Sequence, residues 1–102
     1  MIKVKVTSDK QNKIQRIEIK GHARSAPHGE DLVCAAVSAV ITGGLNSLKN
    51  PKQFKMELRE GYSLVEVTGQ IDEFDENVLS VILTQLKTIA EDNQRFINIM
   101  EN

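Results

Sequence analysis

The feature that most constrains the fold of this chain is the apolar segment Leu32–Leu48. Its apolar residues fall on nearly all sides of a helix, which is typical of a helix buried at the centre of a protein. Asp31 precedes the segment and predicts an N-cap, because its carboxylate can accept hydrogen bonds from first-turn amides. Pro51 predicts the end of the helix. The pair Gly43-Gly44 either weakens the helix or lets another part of the backbone approach closely.

Four shorter segments alternate apolar and polar residues, which is the period of a half-buried strand. They are Ile2–Thr7, Arg16–Lys20, Phe54–Arg59 and Val65–Val67. A second, amphipathic helix follows acids at Asp72–Glu76, and Phe96–Met100 is predicted as a short closing strand. The order is therefore β-β-α-β-β-α, with a final β. We expect an α+β fold, a two-layer α/β sandwich in which two helices cover one face of a mainly antiparallel sheet.

Composition narrows the class of protein. The chain has 102 residues, of which 40% are hydrophobic and 26% charged, so we expect one globular domain, 1–102. Four aromatic residues and a net charge of −1 argue against a DNA-binding protein and make direct RNA contact an unfavoured prediction. The amino terminus has no continuous apolar core of a signal peptide, and Leu32–Leu48 is too short and polar for a clear membrane span. We expect a cytoplasmic protein that does not contact a membrane.

The small net charge conceals an uneven distribution. Residues 1–59 carry 11 Lys or Arg and 5 Asp or Glu, a balance of +6, whereas residues 60–102 carry 2 and 9, a balance of −7. The simpler interpretation is that the early strands expose lysines and the later helix exposes acids. The alternative is an acidic surface that attracts a basic partner.

The chemistry-bearing residues are concentrated between Gly21 and Ser38, which include the only cysteine and both histidines. Cys34 falls three residues after the predicted cap, where first-turn amides and the helix dipole would stabilise a thiolate. His22 follows the second strand, and the loop Ala23–Glu30 can bring it back to the helix start as a general base. His28 is the competing base. First-turn amides could also hold an oxyanion.

Each of these residues also has a purely structural interpretation. Cysteine is among the most frequently buried residues, and Cys34 has apolar neighbours on both sides. Asp31 is commonly a plain helix cap, His22 a hydrogen-bonded loop residue, and Ser38 a hydroxyl bonded to the helix backbone. One cysteine forms no internal disulfide, and the sequence has no Cys/His cluster for zinc.

Two motifs resemble those of a known family. The tripeptide GHA at Gly21–Ala23, followed by GEDLVCAAVS at Gly29–Ser38, is similar to the signature of the ribosomal-processing cysteine protease family, Prp. The resemblance extends over the whole chain. It implies that Cys34 is the nucleophile and His22 its general base, with Gly21, Gly29, Asp31 and Ser38 as supporting or substrate-binding residues.

The resemblance also implies an activity and its partners. Such a protein is a cysteine endopeptidase acting through a thioester, without metal or cofactor. It removes the short N-terminal extension of a ribosomal protein precursor, the twenty-seventh protein of the large subunit, in support of ribosome assembly. The family is also described as homodimeric, with a flexible loop that would correspond to Ala23–Glu30.

Two non-catalytic functions remain open on the residues alone. A ribosome-associated RNA- or protein-binding module would use the basic strands and depend little on Cys34. A redox-sensing thiol would need a reactive Cys34 but no histidine. Replacement of His22 distinguishes them from a protease, because it would abolish proteolysis but leave RNA binding or thiol sensing largely unchanged.

Overall fold

The computed structural model describes the backbone of residues 1–21 and 28–102, and the side chains of residues 1–21 and 32–102. Within these residues the chain forms five strands, two long helices and one 3-10 turn. In chain order they are β1 (Ile2–Ser8), β2 (Ile14–Lys20), α1 (His28–Asn46), the 3-10 turn (Pro51–Gln53), β3 (Phe54–Arg59), β4 (Tyr62–Val67), α2 (Glu73–Glu91) and β5 (Ile97–Glu101).

The described strands form one sheet in the order β3-β4-β2-β1-β5. The pairs β1–β2, β2–β4 and β3–β4 are antiparallel, whereas β5 lies parallel to β1. The parallel pairing follows from the connection, because β5 is reached through α2 rather than through a hairpin. The predicted α+β fold, with a mainly antiparallel sheet, two helices and a closing strand, is confirmed.

In the described part of the chain, the helices cover one face of the sheet. In β1, Ile2, Val4 and Val6 are buried, whereas the intervening Lys3 and Lys5 are exposed. The covered face packs against a stripe from each helix, and all of these residues belong to one hydrophobic cluster. The stripes are Val33, Val37, Ile41 and Leu45 in α1, and Leu79, Ile82 and Leu86 in α2. Among the described residues both helices therefore lie on the same side, and no helix covers the opposite, open face, on which Leu64 is nonetheless buried.

The prediction that α1 is buried on nearly all sides is wrong. Its buried residues form a single stripe, and Leu32, Ala39 and Gly43 are exposed, Leu32 to 59%. In a two-layer protein a helix has one layer beneath it and none above, so the apolar character of the remaining surface is not explained by the core.

The predicted start of α1 is also wrong. The helix begins at His28, ahead of the predicted cap Asp31 and within the predicted loop Ala23–Glu30. Glu30 and Asp31 thus fall in the first turn, where acids suit the positive end of the helix dipole. Cys34 becomes the seventh helical residue, so it lies in the second turn and not in the first.

The segment that follows the carboxyl end of α1 is hydrogen-bonded to α2. Asp75 is fully buried and accepts hydrogen bonds from the backbone amides of Lys49 (2.7 Å) and Asn50 (3.0 Å). Asp72 caps α2 and accepts from the amide of Asp75 at 3.1 Å, which confirms the acidic helix start. Pro51 begins the 3-10 turn, which the sequence did not predict.

The two helices approach closely at Gly44. A Cβ atom there would come within 2.5 Å of Ile82 Cδ1, so the glycine permits the close approach that was one of the two predicted alternatives. Neither helix is sufficiently long and apolar to cross a membrane, as judged from residues 1–21 and 28–102.

Candidate active site

Cys34 opens onto a cavity of about 250 Å³ between α1 and one end of the sheet. The thiol residue is half-buried. The cavity has an apolar floor and a polar rim, and Cys34 and Ser38 lie one helical turn apart on its α1 side. The floor consists of Ile2, Ile19, Val37 and Ile41, and the rim includes Gly21, Arg59, Glu60, Gly61, Tyr62 and Ser63.

Residues of α1, β1, the end of β2 and the β3–β4 turn with its flanking positions build this cavity. The second turn of α1 supplies Cys34, the end of β2 supplies Ile19 and Gly21, and the turn between β3 and β4 supplies the opposite wall. Antiparallel pairing of β2 with β4 places that turn beside the end of β2, since Lys20 pairs with Tyr62. The cavity is therefore a consequence of the sheet register.

Gly21 is held at the mouth of the cavity by two constraints. Its amide donates to the carbonyl of Gly61 at 3.0 Å. Its φ of +118° lies in the region that favours glycine, and a Cβ atom would lie 2.5 Å from the carbonyl oxygen of Met1. The backbone immediately before His22 thus has a defined position next to the Cys34 cavity.

A hydrogen-bonded network fixes the wall formed by the β3–β4 turn. The phenol of Tyr62 donates to Glu18 Oε2 at 2.8 Å, and Arg16 Nη2 donates to the same oxygen at 3.1 Å. The bond from Tyr62 is the main cause that lowers the pKa of Glu18 below 4.5, and the same bond raises the pKa of Tyr62. The guanidinium of Arg59 lies over the Tyr62 ring, 4.6 Å from its centroid. The turn is consequently tied to the open face of the sheet.

The structure brings together three of the predicted site residues, Cys34, Ser38 and Gly21, around one cavity. His22 lies outside the described residues. Gly29 and Asp31 belong to the first turn of α1, and the side chains of Asp31 and His28 are outside the described part.

The contribution of the β3–β4 turn to the site was not predicted from the sequence. Its Glu60-Gly61 dipeptide indicated a turn but no function. The missing information was the pairing of β2 with β4, which places Gly61 against Gly21.

The position of Cys34 changes the expected chemistry. An amide seven residues into a helix is paired within the helix, and the dipole's effect falls off within the first turn. First-turn amides are therefore a weaker source of thiolate and oxyanion stabilisation than the sequence predicted. A cationic imidazole becomes the more important partner of the thiolate.

A larger groove of about 640 Å³ lies between α1 and α2 and includes none of these residues. Its lining is uncharged and includes Gly43, Gly44, Phe74, Val78 and Val81. Among residues whose side chains are described, no group of three or more His, Cys, Asp or Glu is placed to hold a metal ion.

Comparison with known proteins gives consistent matches over the chain. Residues 1–98 match the model of a protein family described as "Cysteine protease Prp". The chain is 34% identical to the ribosomal processing cysteine protease Prp of Mycoplasma pneumoniae, over 96% of this chain and 92% of that protein. It is 36% identical to the protein of the same name from Mycoplasma genitalium, over 80% of this chain and 83% of that protein.

Solved structures share the fold. A crystal structure of a ribosomal processing protease Prp from S. aureus with a substrate peptide has a TM-score of 0.85 and 24% identity, with all of both chains covered. SMU.848 from Streptococcus mutans has a TM-score of 0.81 and 26% identity, over all of this chain and 96% of the other.

Proposed function

This chain belongs to the cysteine protease Prp family, and on that premise we propose that it removes the N-terminal extension of a ribosomal protein precursor. The proposed precursor is that of the twenty-seventh protein of the large subunit. Cys34 is the nucleophile and His22 the general base. Residues 1–102 act as one protease domain, and the reaction takes place in the cytoplasm, where the ribosome is assembled.

The observation that carries this proposal is the position of Cys34. A half-buried thiol on a cavity with an apolar floor and polar rim can meet a peptide while much of the surrounding water is excluded. The backbone of Gly21 is fixed at the same cavity by its hydrogen bond to Gly61, which supports a role in the reaction for the next residue, His22. Family membership favours a protease over the two non-catalytic alternatives.

The proposed reaction has two steps. The Cys34 thiolate attacks the scissile carbonyl carbon, a C–S bond forms, the C–N bond breaks, and the His22 imidazolium gives its proton to the leaving amine. Water then attacks the thioester carbon and gives a proton to His22, so that a C–O bond forms and the C–S bond breaks. Cys34 leaves as the thiolate beside the His22 imidazolium, and the carboxylic acid product ionises as it is released. Because Cys34 lies beyond the first turn, we assign the activation of its thiol chiefly to His22.

The other site residues are proposed to support this pair. Ser38 lies one turn beyond Cys34 on the same cavity and is proposed to contact the substrate. Gly21 supplies the backbone conformation that precedes His22. Asp31 lies within the first turn of α1 and is proposed to orient His22 or to contact the substrate. Gly29 lies in the same turn and is proposed to let a backbone approach closely, because it has no side chain.

The test is incubation with the extended ribosomal precursor, followed by mass spectrometry of the products. We expect a single cleavage that removes the extension, abolished in Cys34→Ala and in His22→Ala. The matched control is His28→Ala, which removes the only other histidine. Cleavage retained in Cys34→Ala would refute the mechanism, and loss in His28→Ala with retention in His22→Ala would reverse the assignment of the base.

Alkylation supplies a second measurement that does not need the substrate. Because Cys34 is the only cysteine, iodoacetamide reports on this thiol alone. We expect alkylation to proceed well below the ordinary thiol pKa of about 8.5, and its pH profile to move upward in His22→Ala. An unchanged profile would show that His22 does not activate the thiol.

We also propose that the protein is a homodimer whose partner covers the groove between α1 and α2. Val81 and Phe74 project from α2 with exposures of 54% and 53%, beside a strip at Ala39 and Gly43 that has little side chain. A two-fold axis can place the projecting residues of one copy on the strip of the other. Sedimentation should show a dimer that Val81→Lys dissociates and Met100→Lys, at an equally exposed position of β5, does not.

A further inference from the structure

We propose that the open face of the sheet binds the phosphate backbone of RNA through a row of cations, Arg59, Lys20 and Lys3. This surface extends from the rim of the Cys34 cavity, at Arg59, across the sheet to Lys3, and it does not involve the catalytic base. The net charge of −1 made RNA contact an unfavoured prediction, but a total charge does not show how charges are sorted over a surface.

The sheet register places these residues side by side. Arg59 pairs with Tyr62, Tyr62 with Lys20, Lys20 with Lys3, and Lys3 with Asn98, so the row crosses all five described strands. With neighbouring strands about 4.8 Å apart, Arg59 and Lys3 are separated by about 14 Å along the row. The row contains no carboxylate.

The acids of the open face lie in the neighbouring rows and are paired. Glu18 accepts from Tyr62 and Arg16, and Lys20 Nζ is 3.9 Å from its other oxygen. Glu57 lies 3.8 Å from Arg59 Nε, and Glu66 lies 3.9 Å from Arg16 Nε. These contacts partly offset the charges of Lys20 and Arg59 as well as those of the acids. The ends of both cationic side chains nevertheless stay accessible, since they are 63% and 67% exposed.

The arrangement has a stability cost that a bound polyanion would remove. Lys3 and Lys20 are directly opposite across β1 and β2, and like charges in that position are destabilising. A phosphate between them would convert mutual repulsion into two attractive contacts. Tyr62 lies in the same row, stacked under Arg59, and cations combined with an aromatic ring suit single-stranded RNA.

The location of the row relates it to the protease. Arg59 and Tyr62 belong to the row and also line the Cys34 cavity. RNA held on the open face would therefore pass the rim of the peptide-binding cavity. Such a surface would hold the enzyme on an assembling ribosomal particle while its substrate is presented.

The test measures binding of a fluorescein-labelled oligouridine by anisotropy over a range of salt concentrations. With three phosphate contacts, the slope of log K against log salt should be about −2, because each contact on a single strand contributes about −0.7. In Lys3→Ala/Lys20→Ala, one contact remains, so we expect weaker binding and a slope of about −0.7. The matched control is Lys52→Ala/Lys87→Ala, which removes the same charge from the 3-10 turn and α2.

Several outcomes would overturn the proposal. Equal weakening by the two double variants would show non-specific attraction, and an unchanged slope in Lys3→Ala/Lys20→Ala would place the contacts elsewhere. Binding to phosphatidylserine vesicles without binding to oligouridine would identify a membrane surface instead. Cleavage of a short precursor peptide is measured in parallel. We expect Lys3→Ala/Lys20→Ala to retain it, with a melting temperature no lower than that of the wild type because the repulsion between the two lysines is removed.

Discussion

Asp75 is the residue whose replacement gives the clearest prediction for stability. Its carboxylate is fully buried and accepts from the amides of Lys49 and Asn50 at 2.7 and 3.0 Å. Hydrogen bonds to a charged group contribute about 1.5–3 kcal/mol each, and truncation leaves both amides without this acceptor. We therefore expect Asp75→Ala to lower the free energy of unfolding by about 3–5 kcal/mol, a large part of the 5–15 kcal/mol typical of a domain.

The assay is urea unfolding followed by helical circular dichroism. Asp72→Ala is the matched control, because Asp72 is an acid of the same helix start. It caps the amide of Asp75 and accepts a long, exposed hydrogen bond from Asn50 Nδ2 at 3.4 Å, so its loss should cost about 1 kcal/mol. Asp75→Asn keeps one acceptor oxygen and should fall between the two. The clamp is the pair of hydrogen bonds that the buried Asp75 accepts from Lys49 and Asn50. If Asp75→Ala and Asp72→Ala were equally destabilising, this clamp would contribute nothing beyond an ordinary helix cap, and the reasoning would be refuted.

Two further predictions concern the helix contact and the β3–β4 wall. In thermal unfolding, Gly44→Ala should be less stable than Gly43→Ala by about 1–3 kcal/mol. The reason is that the methyl group at position 44 would overlap Ile82, whereas a methyl group at position 43 has nothing within 4 Å. Equal stabilities of the two variants would show that Ile82 moves aside at no cost. Tyr62→Phe should be less stable than wild type above pH 4.5, and the difference should narrow as the pH falls through the lowered pKa of Glu18. The sign follows because a lowered carboxyl pKa stabilises the fold only while that carboxyl is ionised, and a difference that is constant with pH would contradict it.

The architecture could be predicted because its signals are local. Alternation in Ile2–Thr7 and in Phe54–Arg59, and the acids before α2, depend only on neighbouring residues. The sheet order could not be predicted, because nothing near β2 in the sequence indicates that it pairs with β4. Asp75 illustrates the same limit, since its partners lie 25 and 26 residues away.

The site was predicted in part for a similar reason. Cys34, Ser38 and Gly21 were found from a short segment, and the structure brings them to one cavity. The wall formed at Gly61 depends on strand register and was missed. The helix start was misplaced because Asp31 is an equally good first-turn acid and N-cap, and sequence chemistry does not distinguish these positions.

The clamp at Asp75 has a consequence for catalysis as well as for stability. Cys34 lies 12 residues before Asn46, the end of α1, which is about 18 Å along the axis. A tilt of about 5° around the clamped end would move Cys34 by about 1.5 Å, and a misplacement of 1 Å can cost about 100-fold in rate. We therefore expect Asp75→Asn, measured where it is fully folded, to cleave the precursor more slowly, with its largest effect on kcat. Wild-type kcat in a folded but destabilised Asp75→Asn would show that the position of Cys34 is set by its contacts with the sheet and not from the far end of the helix.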